Sequence, residues 1–484
     1  MYGKQPQQSI PQVSTVYARQ FPGLIEVASI GLLASLVLLT FWVDVGPNLP
    51  EHALPTVTPI IIALGLFLWL SKRDLKEDRK TKLWLVLLFL VHLTVALTLD
   101  LFWLWPHSFI FGEGDKWLYE GLGWELVHDG FNFRAIVALP VQDIGTTLYV
   151  GVVYAIFGRN LAGVVVTNTL IVALAGLQVY RLAMRYGGIR AARRAAVLWT
   201  LLPATLLHSS FPSKEILVSF FAIFITNQVE YMLDRPSKLK RGSFWLHFGL
   251  VMISLLFFVS IRAVMVIPLV AIVVAQCWIR QKSSRSFMKG LLILLVLIAV
   301  SVGFFHWRSN TMSRQTLITP LPVTAAYKDR FRFSTSIESS LTLSTYWDRD
   351  WRRAYLIPLR IPFTLYAPFP PIHFSDIYDA GGSLNVLLLI LITPGIIGAF
   401  WSKPGVREQV LALAPVWLPV LGLGTALSAG LPFMQWRYAI MAYPYMIILA
   451  TIGFEKRAYT KRFYLPVFFT TFIMFLLYFV LKSI

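Results

Sequence analysis

Between Leu83 and Tyr119 an apolar stretch ends in Trp103, Trp105 and Pro106 and then opens into Phe111-Gly-Glu113-Gly-Asp115-Lys116-Trp117-Leu-Tyr119. An acid delivered to the end of an apolar segment, among aromatics and glycines, suits a general base acting on a lipid-linked substrate. Either Glu113 or Asp115 can take that part, and both can equally pair with Lys116 or Arg134 at the surface. Cations recur in similar settings: Phe211-Pro-Ser-Lys214-Glu215, Arg262 inside Phe257-Phe-Val-Ser-Ile-Arg262-Ala-Val-Met-Val, and Gln435-Trp-Arg437-Tyr438. An arginine there needs a phosphate, a carboxylate or water, or must snorkel to headgroups. The planar guanidinium of Arg437 can clamp a phosphate through two parallel hydrogen bonds, which a lysine cannot do. Lys214 and Glu215 are neighbours, so on a helix they point about 100° apart and cannot both face one ligand atom. Ser213 is placed to cap a helix starting there, with Glu215 favouring its positive end.

The elements that position these groups follow from composition. Of the 484 residues 57% are hydrophobic and only 14% charged, and apolar stretches long enough to cross hydrocarbon recur from Gly23 onward. The runs are continuous rather than alternating, so the expected fold is an all-α, polytopic transmembrane helix bundle, not a barrel or a soluble enzyme. Spans are expected near 23–43, 55–71, 83–105, 160–182, 195–210, 215–233, 244–260, 264–279, 289–306, 385–402, 408–426, 438–453 and 463–481, about thirteen in all. With the N-terminus inside, most of the 43 Lys and Arg fall in the inner segments, as the positive-inside rule requires. The net charge of +19 is then mainly a topology signal, with attraction to anionic lipid second; nucleic acid is not implied. The single Cys277 excludes a disulfide framework.

Val141 to Phe157 is apolar enough to be mistaken for a span. Threading it across would move Arg185, Arg190, Arg193 and Arg194 outside and invert every later loop, so an interfacial or re-entrant helix is expected. Two large outer loops remain, 106–159 and 307–383. The chain therefore divides into an N-terminal tail with two additional helices (1–82), a core (83–306), the second loop (307–383) and the C-terminal helices (384–484). All the polar groups named above share the extracytoplasmic side of an integral membrane protein. Cations and acids converging there suit a phosphate-bearing lipid, with an acid to take the proton of an attacking hydroxyl. The loop residues Arg349, Arg352 and Arg353 alternate with Asp348 and Asp350 and are expected to pair among themselves or contact headgroups.

An ordered series of short motifs carries a resemblance. After the first-loop acid come Leu148-Tyr149-X-X-Val152-Val153-Tyr154-Ala155-Ile156-Phe157-Gly158-Arg159-Asn160, a span ending Arg181-Leu-Ala-Met-Arg-Tyr-Gly-Gly188, and Leu202-Pro203 before an outer polar turn. Together they resemble the GT-C membrane glycosyltransferases, most closely the protein O-mannosyltransferase and aminoarabinose-transferase branch. The likeness covers roughly 83–233 and continues loosely through Ala367-Pro-Phe-Pro370 and Trp436-Arg437-Tyr438. It implies a helix bundle with interfacial helices in the first outer loop and a polyprenyl-phosphate sugar donor, with no metal or cofactor in the chemistry. Asp115 matches the family's base because Tyr119 follows four residues later. The family's usual second acid directly after it is replaced by Lys116, which leaves Glu113 a contender. By the same resemblance Tyr119, Lys214, Glu215, Arg262, Arg437 and Tyr438 fall at substrate-binding positions.

The expected function is transfer of a sugar from a polyprenyl-phosphate donor to a hydroxyl of a glycan, lipid or protein acceptor, with inversion. A polysaccharide polymerase or ligase acting on polyprenyl-diphosphate glycans, with Glu215 as base, is the alternative. A lipid-glycan flippase is a further one, against which stand the absence of an internal repeat and the one-sided loops. No His-Glu-X-X-His, Cys pair, phosphate-binding glycine loop or nucleophile elbow occurs. His107 and His208 lack ligand spacing, and Asn227, Gln228 and Glu230 are expected to cap the inner end of their helix.

Overall fold

A computed structural model describes residues 53–74, 79–100, 115–131, 141–234, 241–262, 265–280, 361–362, 364–366, 377–401, 406–430, 436–456 and 461–473. Among them every regular element is a helix. In chain order these are α1 (Ala53–Asp74), α2 (Arg79–Leu99), α3 (Asp115–His128), α4 (Val141–Phe157), α5 (Leu161–Thr200), α6 (Pro203–Ser209), α7 (Lys214–Asp234), α8 (Arg241–Arg262), α9 (Val266–Arg280), α10 (Ile377–Phe400), α11 (Val406–Ala412), α12 (Ala414–Gly430), α13 (Trp436–Ala439), α14 (Tyr443–Glu455) and α15 (461–473). Five contain a segment long and apolar enough to cross a membrane: Thr81–Leu99, Leu161–Thr200, Lys214–Leu233, Trp245–Arg262 and Ala380–Phe400. The expected spans near 23–43 and 289–306 lie outside the described residues, as does most of 307–383.

The helix α5 is not one rod. Its 40 residues contain Gly188 at φ +76° and ψ −176°, a conformation open to glycine and strained for any other residue. The indole of Trp199 donates to the Val172 carbonyl at 3.1 Å, although 27 residues along a straight helix would separate them by about 40 Å. The chain therefore doubles back at Gly187–Gly188 and its two arms run antiparallel. Gly187 is seated so tightly that an added Cβ would lie 2.6 Å from Ala191 and 2.8 Å from Ile452. The second arm ends at Thr200, and Pro203 opens the separate short helix α6. The single span expected near 195–210 is thus broken at Leu201–Leu202, because a proline sits comfortably at the start of a helix and poorly inside one. The span expected near 408–426 is likewise divided at Leu413 into α11 and α12. That near 438–453 separates into α13 and α14.

Cross-links sort the bundle into two ends. At one, Arg193 bonds Thr81 (2.8 Å), Arg194 bonds Glu455 (2.7 Å), Tyr186 donates to Glu230 (2.6 Å) and Lys456 donates to the Ala399 carbonyl (2.8 Å). Near this end, α10 and α14 cross at backbone contact: an added Cβ on Gly453 would fall on the Gly395 carbonyl. The other end holds Ser213, Arg262 and Tyr438 and is termed the site end. The five exposed tryptophans among the described residues, Trp69, Trp84, Trp245, Trp278 and Trp401, all lie in the halves of their helices remote from it. Tryptophan concentrates at bilayer interfaces, where its ring spans the apolar and polar layers.

The pair α3 and α4 covers the site end. Gly123 lets α3 close on Val150, and Tyr119 is buried against Val150, Val153, Tyr154 and Val164. At the start of α4, Gly145 rests on Ser260 and Ile261 of α8; at its close, Phe157 and Val153 meet Gly163 at the start of α5. Both ends of this 17-residue helix, about 25 Å long, therefore touch the same end of the bundle. Across it is how α4 runs.

Candidate functional site

The first requirement of the site is the corner between α5 and α7, residues 201–213, because it aims Lys214 and Glu215. Three buried side chains hold it from other elements. His92 on α2 bridges the Thr200 carbonyl (Nδ1, 2.6 Å) and the Ser209 hydroxyl (Nε2, 2.7 Å). Asn168 on α5 donates to the carbonyls of Ser209 (3.3 Å) and Phe211 (2.8 Å). Its own oxygen accepts from Tyr149 of α4 (2.8 Å). Asn385 on α10 accepts the Ala204 amide (3.4 Å). In an apolar bundle every backbone group freed by a helix break needs such a partner.

Ser213 then starts α7. Its hydroxyl oxygen accepts the Glu215 amide (3.3 Å), and its hydroxyl donates to Glu215 Oε2 (2.7 Å). This is the capping role expected of Ser213. His208 Nδ1 approaches the same hydroxyl at 3.2 Å. Lys214 and Glu215 diverge, as adjacent helical residues must. Lys214 sends its ammonium over the Tyr119 ring, 5.7 Å from the centroid. Glu215 turns inward to Arg262.

At the centre, Arg262 Nη2 donates to Glu215 Oε1 at 2.8 Å, with side chains 11% and 4% exposed. The guanidinium also lies 4.3 Å from the centroid of the Tyr438 ring. Arg437 packs against the same ring at 5.1 Å and donates from Nη2 to the Tyr438 hydroxyl at 3.2 Å. One aromatic ring thus contacts two guanidiniums, whose repulsion its negative faces offset. Among the described side chains three cations, Lys214, Arg262 and Arg437, stand near the Glu215 carboxylate. Burying them is tolerable only because each meets a carboxylate, a ring face or an adjoining anion.

A second cluster clasps α3 to the bundle. Arg159 grips Glu120 with two bonds (2.8 and 3.1 Å) and covers the Trp124 ring at 5.4 Å. The hydrogen bonds to Glu120 raise the pKa of the Arg159 guanidinium above its ordinary value. Since Tyr119 and Glu120 are adjacent, this clasp fixes the ring beneath Lys214.

Six of the sequence-selected residues therefore come together: Tyr119, Lys214, Glu215, Arg262, Arg437 and Tyr438. Of the partners expected for Arg262, the carboxylate is the one seen: Arg262 and Glu215 form a pair beside which Arg437 and Lys214 lie. Glu113 lies outside the described residues. Asp115 is described by its backbone alone, as the first residue of α3, one turn before Tyr119. The supports His92 and Asn168 give no signal in the sequence beyond a polar residue inside an apolar run, and Tyr149 stands there only as part of a motif. Among the described residues no group of three His, Cys, Asp or Glu side chains gathers to hold a metal. Asn227, Gln228 and Glu230 lie at the far end, where Asn227 donates to the Gln178 carbonyl (2.9 Å) and Gln228 meets His247 (2.6 Å).

No protein-family profile, no curated protein and no solved structure matches the chain.

Proposed function

We propose that the protein is an integral membrane glycosyltransferase that moves a sugar from a polyprenyl-phosphate donor to an acceptor hydroxyl at the extracytoplasmic face. The observation that carries this reading is the meeting of Lys214, Arg262 and Arg437 near the Glu215 carboxylate at one end of the bundle. Glu215 neutralises and orients Arg262, and Lys214 and Arg437 stand beside that pair, where a phosphate can meet them. In this reading the donor phosphate lies against Arg437 and Lys214, with its lipid chain between helices. Asp115 accepts the acceptor's proton as the hydroxyl oxygen bonds to the anomeric carbon. The bond from that carbon to the phosphate oxygen breaks, and the polyprenyl phosphate departs with the electron pair. Fixed cations stabilise that leaving group, so no general acid is needed.

The engagement of both Glu215 oxygens, by Arg262 and by Ser213, favours Asp115 over Glu215 as the base. This weighs against the polymerase-like alternative, which would use Glu215 on a diphosphate donor. Purified protein given radiolabelled polyprenyl-phosphate sugar should transfer label to an acceptor, and Asp115→Asn should bind the donor yet transfer nothing. Full turnover by that variant refutes the base assignment. Product from a diphosphate-linked oligosaccharide alone selects the polymerase or ligase, and release of intact donor across the bilayer without a new glycosidic bond selects a flippase.

A further inference from the structure

The end of the bundle remote from the candidate site carries a second recognition surface, independent of the functional reading above. Its level is marked by the five exposed tryptophans, whose rings project from five different helices. At one point of that ring Trp401, half exposed after the last turn of α10, meets Phe463 of α15 edge to face, with ring centroids 5.4 Å apart. The two residues before Phe463 are Lys461 and Arg462, both exposed. Close by in the chain, Lys456 is tied to the α10 end through the Ala399 carbonyl. Beyond them α15 presents Leu465, Phe468, Phe469, Phe472 and Ile473 outward, each more than half exposed. An apolar helix face, an aromatic pair at its head and two outward cations beside that pair match the three layers of a phospholipid: acyl chain, glycerol region and phosphate.

We propose that Lys461, Arg462 and the Trp401–Phe463 pair form a binding site for the headgroup of an anionic phospholipid in the leaflet opposite the candidate site, with its acyl chains along α15. The charge is the discriminating feature. A zwitterionic headgroup returns its own cation to the surface and cancels much of the attraction, whereas an anionic one does not.

The full chain in nanodiscs of phosphatidylcholine, with and without phosphatidylglycerol, reads this out by counting retained lipids of each type in native mass spectrometry. Wild type should enrich phosphatidylglycerol over its bulk fraction. The double variant Lys461→Gln/Arg462→Gln should lose that preference by roughly thirtyfold, as two surface cations at about a kcal/mol each imply. Trp401→Ala should loosen lipids of both types alike. Both cations are exposed, so the double variant should unfold at the wild-type temperature in pure phosphatidylcholine, which separates lipid binding from folding. Equal retention of the two lipids by wild type, or an unchanged preference in the double variant, overturns the site. Neither result touches the transferase reading.

Discussion

The two ends of the bundle solve the same problem, ionised side chains next to hydrocarbon, in opposite ways. Far from the site, several cations meet partners that lie apart from one another: Arg194 with Glu455, Arg185 near Glu230 at 3.7 Å, Arg193 with the Thr81 hydroxyl. The Arg194 side chain is 41% exposed, so water and headgroups solvate what the partner does not. At the site end the described cations are gathered instead: Arg262 pairs with Glu215 and shares the Tyr438 ring with Arg437, and Lys214 lies over Tyr119. Such a cluster, held by aromatic rings and by the Ser213 cap, is where the proposed phosphate contact is placed.

That contrast can be broken or sharpened by substitution, and the largest effect is expected away from both charge clusters. Gly453→Ala puts a Cβ on the Gly395 carbonyl, and backbone cannot move aside as a flexible side chain can. The variant should fail to give monodisperse protein by size exclusion, whereas Gly249→Ala, whose Cβ would meet open space, should behave as wild type. Next in size is Glu215→Ala, which strands the buried Arg262 and should cost about 3–5 kcal/mol in equilibrium unfolding. Replacing both partners, Glu215→Gln with Arg262→Met, should recover much of that loss because no guanidinium is then stranded at the Glu215 position. Equal destabilisation by the single and double variants would show that the pair is not the source of the effect.

Smaller again is Tyr438. Its change to Leu should remove two ring contacts and cost about 1–2 kcal/mol, while Tyr438→Phe keeps the rings and loses only the bond from Arg437, worth about 1 kcal/mol or less. Matching losses for Leu and Phe would mean that the hydroxyl, and not the ring, matters. The smallest effect belongs to the opposite end. Glu455→Ala should change stability by less than about 1 kcal/mol and should lose even that in high salt. A cost there as large as that of Glu215→Ala would erase the distinction between the two ends.

Much of this was legible in the residues. Charged and aromatic side chains at the ends of apolar runs gave the membrane class and singled out Lys214, Arg262 and Arg437, because an ion near hydrocarbon is conspicuous in any sequence. Their common side followed from counting crossings. What each would touch did not, since partner choice depends on how α7 and α8 rotate against one another, and that is set by packing. For Arg262 the sequence left phosphate, carboxylate, water and headgroups open, and packing brings it the Glu215 carboxylate. Tyr119 is buried with the Lys214 ammonium over its ring, a contact no spacing announces. The hairpin within α5 was half visible: Gly187-Gly188 sits between the apolar arms. The break at Pro203 was concealed because Leu201, Leu202 and the residues of α6 continue the apolar run without interruption. His92 and Asn168, isolated polar residues in such runs, could not be assigned to the corner they hold without knowing that α2, α5 and α6 adjoin.

The central claim is that Lys214 and Arg437 of the site end hold a lipid-borne phosphate, and direct binding of labelled polyprenyl phosphate tests it most plainly. Lys214→Gln and Arg437→Gln, checked for unchanged unfolding temperature, should each weaken binding by about tenfold or more, as loss of a charge-assisted hydrogen bond implies. Lys456→Gln at the other end should bind as wild type does. Wild-type affinity in both site-end variants would contradict the account.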